Sequence, residues 1–389
     1  LSPGTTVRER TGPKVPDRLG GRLDLEVIAD LDRPGAWSGW SALEAEAAGT
    51  AYQARAFVEP LARRLAPALG RSAFLIQIHD EAGPVLAAAL VMRRWYGARI
   101  IEFADFGYVD CCGPLVRRGL EADPEAIGRL DAALQAGLPR HDALILKRMP
   151  AEIAGEANPF ALLPGARPMG CGTFELPPGS RISGSSATIR NSERKARRLI
   201  RDGGTVRRIT DPAEALAALE LAFAWRSGSG DRYDWAASPL AHPAARDFYR
   251  EVIGQGVASG HSVLHQVATA QGPIGLVHGF VHAGRYHGSL MAVDRTAPEA
   301  RLYSPGMVGV LAAIGEHLAR ETGGVDLGAG NSEYKRHFRG RFRQHIMVAR
   351  ARTSLGALAV ARAKLHDAGR HWMRAHPALA RQIRAWRGL

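Results

Sequence analysis

Cysteine is scarce in these 389 residues: Cys111, Cys112 and Cys171 are the only three. That is too few for a disulfide framework, and their spacing is not that of a metal site. The adjacent pair reads as packing, and such usage fits the cytoplasm. Long apolar runs are missing too. The longest, about 84–92, is strand-sized, well short of the roughly 20 residues a spanning helix needs. The first 21 residues carry Pro, Gly and charge but no apolar core, so they read as a loose tail and not as a secretory signal. What remains is ordinary globular composition, 46% hydrophobic and 23% charged, and a length that suggests two domains or three.

Acidic residues are nearly absent from one region. From Arg336 to Leu389 there are 13 Lys and Arg against the single acid Asp367, a net of +12 in a chain whose total is +13. A second basic cluster, Arg181 to Arg208, sets nine cations against Glu193 and Asp202. Everything else is net acidic. Basicity placed in this way attracts polyanions such as cofactor phosphates, nucleic acid or anionic lipid.

Hydrophobic periodicity predicts a strand at 23–29, helices at 37–48 and 54–69, strands at 73–79, 85–92, 100–103 and 106–111, a helix at 124–136 and a strand at 143–146. Residues 150–178 are rich in Pro and Gly and read as a linker. A similar order then returns. A helix at 187–201 precedes a strand at 205–209, helices at 212–225 and 243–258, and strands at 262–268, 274–282 and 286–293. A helix at 305–321, a strand at 325–327, a short helix at 332–338 and a strand at 343–349 follow. The order suggests a duplication without a residue-level repeat. It divides the chain into a tail (1–21), a first unit with its linker (22–178), a second unit (179–353) and a basic helical tail (354–389). In that last segment Leu358, Leu365, Trp372, Leu379 and Trp386 recur every seven residues, and Pro377 should break the helix. Such a stripe can pack on the body of the protein or lie on an anionic membrane surface.

Gly324-Val-Asp-Leu-Gly-Ala-Gly-Asn331 has the look of a methyltransferase cofactor loop. Its position excludes that: a doubly wound domain needs several more βα units, and only a strand and the tail follow. His261 with His265, and His278 with His282, each share one strand face, but no carboxylate or Cys joins them, so no metal is expected. Arg301-Leu-Tyr-Ser304-Pro305-Gly306-Met307 opens a long helix. Pro305 suits the first turn, Ser304 the N-cap, and Gly306 allows close approach to the backbone. The helix N-terminus offers unpaired N–H donors and the positive end of its dipole, a natural place for a pyrophosphate, although many helices start with Ser-Pro. Arg190, Arg194, Lys195 and Arg198 form one basic helical face, either solvated or in contact with an anionic substrate.

The order strand, helix N-terminus, strand, short helix with Tyr, strand resembles the acyl-CoA half of the GNAT acetyltransferase fold. More specifically it resembles the CelD-like branch, related to the Fem-type aminoacyltransferases. Four stretches carry this resemblance: Arg190-Asn191-Ser192-Glu193-Arg194-Lys195, Tyr303-Ser304-Pro305-Gly306, Val325-Asp326-Leu327-Gly328, and Glu333-Tyr334-Lys335 with Phe338. Thr50-Ala51-Tyr52-Gln53 and Gly113-Pro114-Leu115 extend it weakly into the first half. Arg301, Ser304 and Gly306 fall on the family's phosphate-loop positions, with Ser in place of the first Gly.

The resemblance implies an α+β (mixed α/β) fold of tandem GNAT-like units, with mostly antiparallel central sheets flanked by helices and a degenerate first unit. It implies acetyl-CoA or another acyl-CoA as co-substrate. Arg301, Ser304, Pro305, Gly306 and Met307 would lie at its phosphates, and Leu290, Met291 and Val293 along its pantetheine. Tyr334 matches the general acid for the leaving thiolate, with Asp326 and Lys335 beside it. Arg190, Arg194 and His287 are placed at the acceptor. The expected activity is acyl transfer to an amine or hydroxyl of a saccharide or cell-envelope precursor, in the cytoplasm or at the inner face of the membrane. The alternatives are a Fem-type transferase using aminoacyl-tRNA, which no nucleic-acid motif supports, and a binding module with a decayed site.

Overall fold

A computed structural model describes residues 17–18, 22–182, 186–227, 239–320, 323–330 and 332–376. In the first unit the main elements are β1 (Asp24–Ile28), α1 (Ser38–Glu46), α2 (Arg55–Pro60), β2 (Ser72–Asp80), β3 (Gly83–Trp95), β4 (Ala98–Phe103), α3 (Pro124–Gly137), β5 (Ala143–Met149) and β6 (Ala166–Leu176). The second unit has α4 (Ala187–Arg201), β7 (Thr205–Ile209), α5 (Pro212–Ser227), α6 (Pro243–Ser259), β8 (Ser262–Thr269), β9 (Gly272–His282) and β10 (Arg285–Val293). It ends with α7 (Pro305–Ala319), β11 (Val325–Ala329), α8 (Glu333–Arg336) and β12 (Arg341–Ala351), and α9 (Ser354–Ala375) follows.

The strands form one mixed sheet in the order β7-β8-β9-β10-β11-β6-β12-β5-β4-β3-β2-β1. Each half repeats the same plan: three antiparallel pairings, the first joined through helices and the next two by hairpins, then one parallel pairing reached through a crossover helix. The parallel pairs are β4 with β5 and β10 with β11. The last strand of each unit crosses to the other. β6 pairs with β11 (Leu176 opposite Val325) and β12 with β5 (Ala351 opposite Ala143), while β6 and β12 pair together at the centre. The units also share a core, in which Phe57 of α2 packs edge-on to Phe248 of α6 at 5.3 Å and to Phe280 of β9 at 5.2 Å.

Two expectations are corrected, and one alternative left open is decided. The linker read at 150–178 contains β6, a strand at the middle of the sheet. Its glycines serve close packing: a Cβ on Gly172 would stand 2.1 Å from the Arg343 carbonyl of β12. The strand read at 106–111 is a loop that turns at Phe106 and Gly107, both at positive φ. In α9 the small residues Ala359, Val360 and Ala363 pack on the sheet, against Ile100, Ile145 and Met347. The seven-residue stripe faces away, with Leu358 61%, Leu365 73% and Trp372 45% exposed. Leu379, Trp386 and the break read at Pro377 lie outside the described residues.

Candidate functional site

β10 and β11 pair through only two residue pairs, Tyr286 with Val325 and His287 with Asp326. Beyond them β10 stays with β9, whereas β11 turns to β6. A V therefore opens between two parallel strands, and from Gly288 onward β10 has peptide groups with no strand on that side among the described residues.

α7 begins against the outer arm of the V. A Cβ on Gly306 would lie 2.9 Å from Met291 Sδ and 3.1 Å from Val293 Cγ2, so glycine lets the helix end press onto β10. Ser304 is the residue before the helix, in a left-handed conformation (φ 52°, ψ 58°), and it joins α7 to the one-turn helix Glu299–Tyr303. Its hydroxyl does not cap α7. Lys195 of α4 donates to Ser304 Oγ at 2.6 Å and to the Arg301 carbonyl at 3.3 Å. The first helical bond runs from Val308 N–H to the Ser304 carbonyl, so the N–H groups of Gly306 and Met307 precede it at the positive end of the dipole. No acid occupies this first turn. The matching helix of the first unit is the opposite case: Asp123 caps α3 through Ala126 N–H at 2.7 Å, and Glu125 follows. Negative charge already fills that helix end. Arg190 and Arg194 lie on the exposed face of α4, which packs on α7 and on the Glu299–Tyr303 turn. Arg194 donates to Asn191.

At the apex of the V, Asp326 is buried and accepts from Gly328 N–H at 2.8 Å. Burial pushes its carboxyl up, but His287, Arg285 and that N–H outweigh burial and hold it below the usual range. His287 Nδ1 stands 3.7 Å from Asp326 Oδ2, and neither ring nitrogen has a hydrogen-bond partner among the described residues. Lys335 is also buried. Its ammonium donates to the carbonyls of Gly328 and Ala329, both at 2.8 Å, which ties down the turn after β11; burial lowers its pKa. Tyr334 lies half-buried at the edge of the α7 core, edge-on to Phe338 at 6.3 Å and beside Tyr286.

Sequence reading missed the contribution of the first unit. Its 104–114 loop carries Asp110 into the apex. The carboxylate accepts from Ala329 N–H. A Cβ on Gly328 would meet Asp110 Oδ2 at 2.5 Å and the Gly288 carbonyl at 2.9 Å, so these three groups converge there. Burial, then the nearby Asp326, raises the Asp110 pKa against the pull of that N–H. Gln53 anchors the loop through the Cys111 carbonyl at 2.9 Å, and Tyr52 packs edge-on to His287 at 5.9 Å. Two of the strand histidines are tied within the fold. His265 bonds Glu316 at 2.8 Å and His278 bonds Ser262 at 3.2 Å. Among the described residues no group of His, Cys, Asp and Glu is arranged to hold a metal ion.

This geometry has a family counterpart. Residues 185–336 match the Acetyltransferase (GNAT) domain family, a span that includes the V, the start of α7 and the Asp326–Lys335 turn. The second unit thus carries the match to this family, and the first unit repeats its order of strands and helices. Two solved structures share that fold across most of the chain. One is FemX (11% identity, 83% of this chain and 97% of that one, TM-score 0.55). The other is L-PGS from Bacillus licheniformis (13%, 83% and 96%, TM-score 0.50). No curated protein matches the sequence.

Proposed function

We propose that the second unit transfers an acetyl or other acyl group from acyl-CoA to an amine or hydroxyl of a saccharide or cell-envelope precursor, as a CelD-like GNAT enzyme. The observation that carries this reading is the V between β10 and β11 with an acid-free helix start at its outer arm. The pyrophosphate would meet the N–H groups of Gly306 and Met307 and the Lys195 ammonium, flanked by Arg301, Arg190 and Arg194. The pantetheine would run along Leu290, Met291 and Val293 and bond to the unpaired edge of β10. The thioester carbonyl would then lie near Gly288, where backbone N–H groups can stabilise developing oxyanion charge. Asp326 lies against His287 and, with Lys335, fixes the turn that forms the other wall. The first unit, with Asp123 and Glu125 at its helix start, binds no donor.

The test is acetyl-CoA titration calorimetry together with thiol release in the presence of amine acceptors. Tyr334, as general acid for the thiolate, gives a sharper check. Tyr334→Phe should lower kcat at least about 10²-fold and leave the acetyl-CoA Kd within twofold, because it removes a proton and little contact surface. Turnover within threefold of wild type would remove Tyr334 from the chemistry.

We also place α9 against an anionic membrane. Its outward stripe of Leu355, Leu358, Leu365 and Trp372 is exposed in the most basic part of the chain, and no described helix is long and apolar enough to span a bilayer. Wild type should co-sediment with phosphatidylglycerol vesicles at low salt and detach at high salt. Leu365→Glu with Trp372→Ala should abolish this without unfolding the protein. Truncation is the wrong tool, since it would bare Ile100, Ile145 and Met347. Vesicle binding by the double variant equal to that of wild type would discard the membrane reading.

A further inference from the structure

A cavity of about 690 Å³ lies between the first unit's sheet and α9 and reaches the turn after β11. Its volume is in the usual range for a small-molecule site. Most of its charged lining is internally paired. Arg93 bonds Glu102 at 2.8 Å, Arg148 meets Asp105 at 3.1 Å, and Asp367 accepts from Gly170 N–H at 3.3 Å and meets Arg167 at 3.5 Å.

Two sets of groups are left over. Lys147 of β5 and Arg370 of α9 have no hydrogen bond or ion pair among the described residues, and His366 of α9 sits within the field of both. Lys147 and Arg370 make a cationic pole, and the His366 ring, held neutral by burial and by these cations, adds a hydrogen-bonding group beside it; Glu102 and Asp105 are the acids nearest Lys147. At another part of the lining is Asp110, beside Ala329 and Gly330. The main charged neighbours of Asp110 are Asp326, Lys335 and Arg148. Asp110 also reaches the apex, where its Oδ2 converges with Gly328 and the Gly288 carbonyl. One carboxylate therefore borders both the cavity and the place assigned to the thioester.

We propose that this cavity is the acceptor site and that it takes an amine carrying a phosphate or another strong anion. Its anionic group is held by Lys147, His366 and Arg370, and its ammonium is held by Asp110. The inference rests on the acyl-CoA reading above. In the reaction Asp110 takes one proton from the ammonium, and the neutral amine attacks the thioester carbonyl. A C–N bond forms, the C–S bond breaks, and the second proton lost by the nitrogen passes to the leaving CoA thiolate, by way of the Tyr334 hydroxyl. The products are the amide and free CoA, with the proton on Asp110 passing to solvent. A carboxylate whose burial raises its pKa is better matched to that proton than an exposed one. α9 thus completes the site as well as covering the sheet.

Glucosamine 6-phosphate is a suitable probe, with glucose 6-phosphate lacking the amine and glucosamine lacking the phosphate. Calorimetry on the full chain saturated with CoA should show glucosamine 6-phosphate binding at least tenfold more tightly than either. Lys147→Ala with Arg370→Ala should weaken both phosphates at least tenfold and leave glucosamine unchanged. Asp110→Asn, nearly isosteric, should erase the preference for the amine while keeping glucose 6-phosphate binding. Acetyl-CoA affinity should hold in all variants, and thermal melting should confirm that they fold. If wild type binds no acetyl-CoA, the donor reading fails. If it binds acetyl-CoA but the three sugars bind equally or not at all, or the variants bind them as wild type does, the cavity assignment is overturned and the donor reading stands.

Discussion

Lys195→Glu should weaken acetyl-CoA binding by more than 100-fold in calorimetry while leaving the melting temperature unchanged or slightly higher. The two effects have opposite signs for one reason. Lys195 holds its ammonium 2.6 Å from Ser304 Oγ, at the start of α7. For the isolated helix, a carboxylate there complements the dipole and is worth about 0.3–1 kcal/mol. For a bound pyrophosphate the same change replaces attraction by repulsion. At an effective dielectric constant of about 20, one unit charge at 4 Å accounts for about 4 kcal/mol, and about 1.4 kcal/mol is already tenfold in Kd. Solvent screening at this half-buried position reduces that figure but leaves room for two decades. Gly306→Glu would be less informative, because its Cβ collides with Met291 and Val293 and confuses packing with charge. A Kd for Lys195→Glu within threefold of wild type would move the donor site away from α7.

The parts of this site that were legible in the sequence are those encoded locally. Elements from Ala187 to Val293 follow strong periodicity and clear caps, and their observed bounds lie within about two residues of those expected. Ser304-Pro305-Gly306 marked the helix start correctly because Pro and Gly act at their own position. What the sequence hid depends on contacts far apart in the chain. The basic face of α4 could be drawn as a stripe, but only packing shows that Lys195 reaches Ser304 while Arg194 bonds Asn191. The glycines of β6 looked like a linker because Gly usually breaks strands, and here Gly172 is required by the approach of β12. The same kind of misreading concealed Asp110. Phe106, Val109 and Cys111 suggested a strand, yet the positive φ of Phe106 and Gly107 turns the chain and brings Asp110 to Gly328. In α9 the stripe of large apolar residues left the choice of buried face open. Small ones took it, because Gly356 must pass close to the Asp142 carbonyl, where a Cβ would stand 1.8 Å away.

Acidification from pH 7 to pH 5 should lower the melting temperature by on the order of 10 °C, well before the carboxylates titrate. The cause is a set of buried neutral imidazoles. His278 and His345 are 0% exposed and His317 is 1% exposed. Burial lowers their pKa values to about 3, about 4 and about 4. His278 packs edge-on to Phe280 at 4.6 Å, and His317 stacks on Tyr286 at 4.7 Å, so neither can reach water without opening the core. Each folded pKa lies below the unfolded value near 6.5. The unfolded chain therefore binds more protons between those values. The stability contributed by the neutral rings is fully present above pH 6.5 and lost progressively as the pH falls toward 4. Between pH 7 and pH 5 one such ring loses about 2 kcal/mol, and three lose about 6 kcal/mol. At about 2 °C per kcal/mol in a chain of this size, that gives the stated shift. The lowered pKa values of His141, His265 and His282 add to the slope, and the raised carboxyls of Glu44 and Asp110 oppose it. His317→Phe keeps the ring stacked on Tyr286 and removes the titrating group, so it should flatten the profile by about a third of the His term. Melting curves at half-unit steps in matched ionic strength provide the measurement. A profile flat from pH 7 to pH 5, or one that His317→Phe does not change, would show that these rings are solvated and that the core around them is loosely packed.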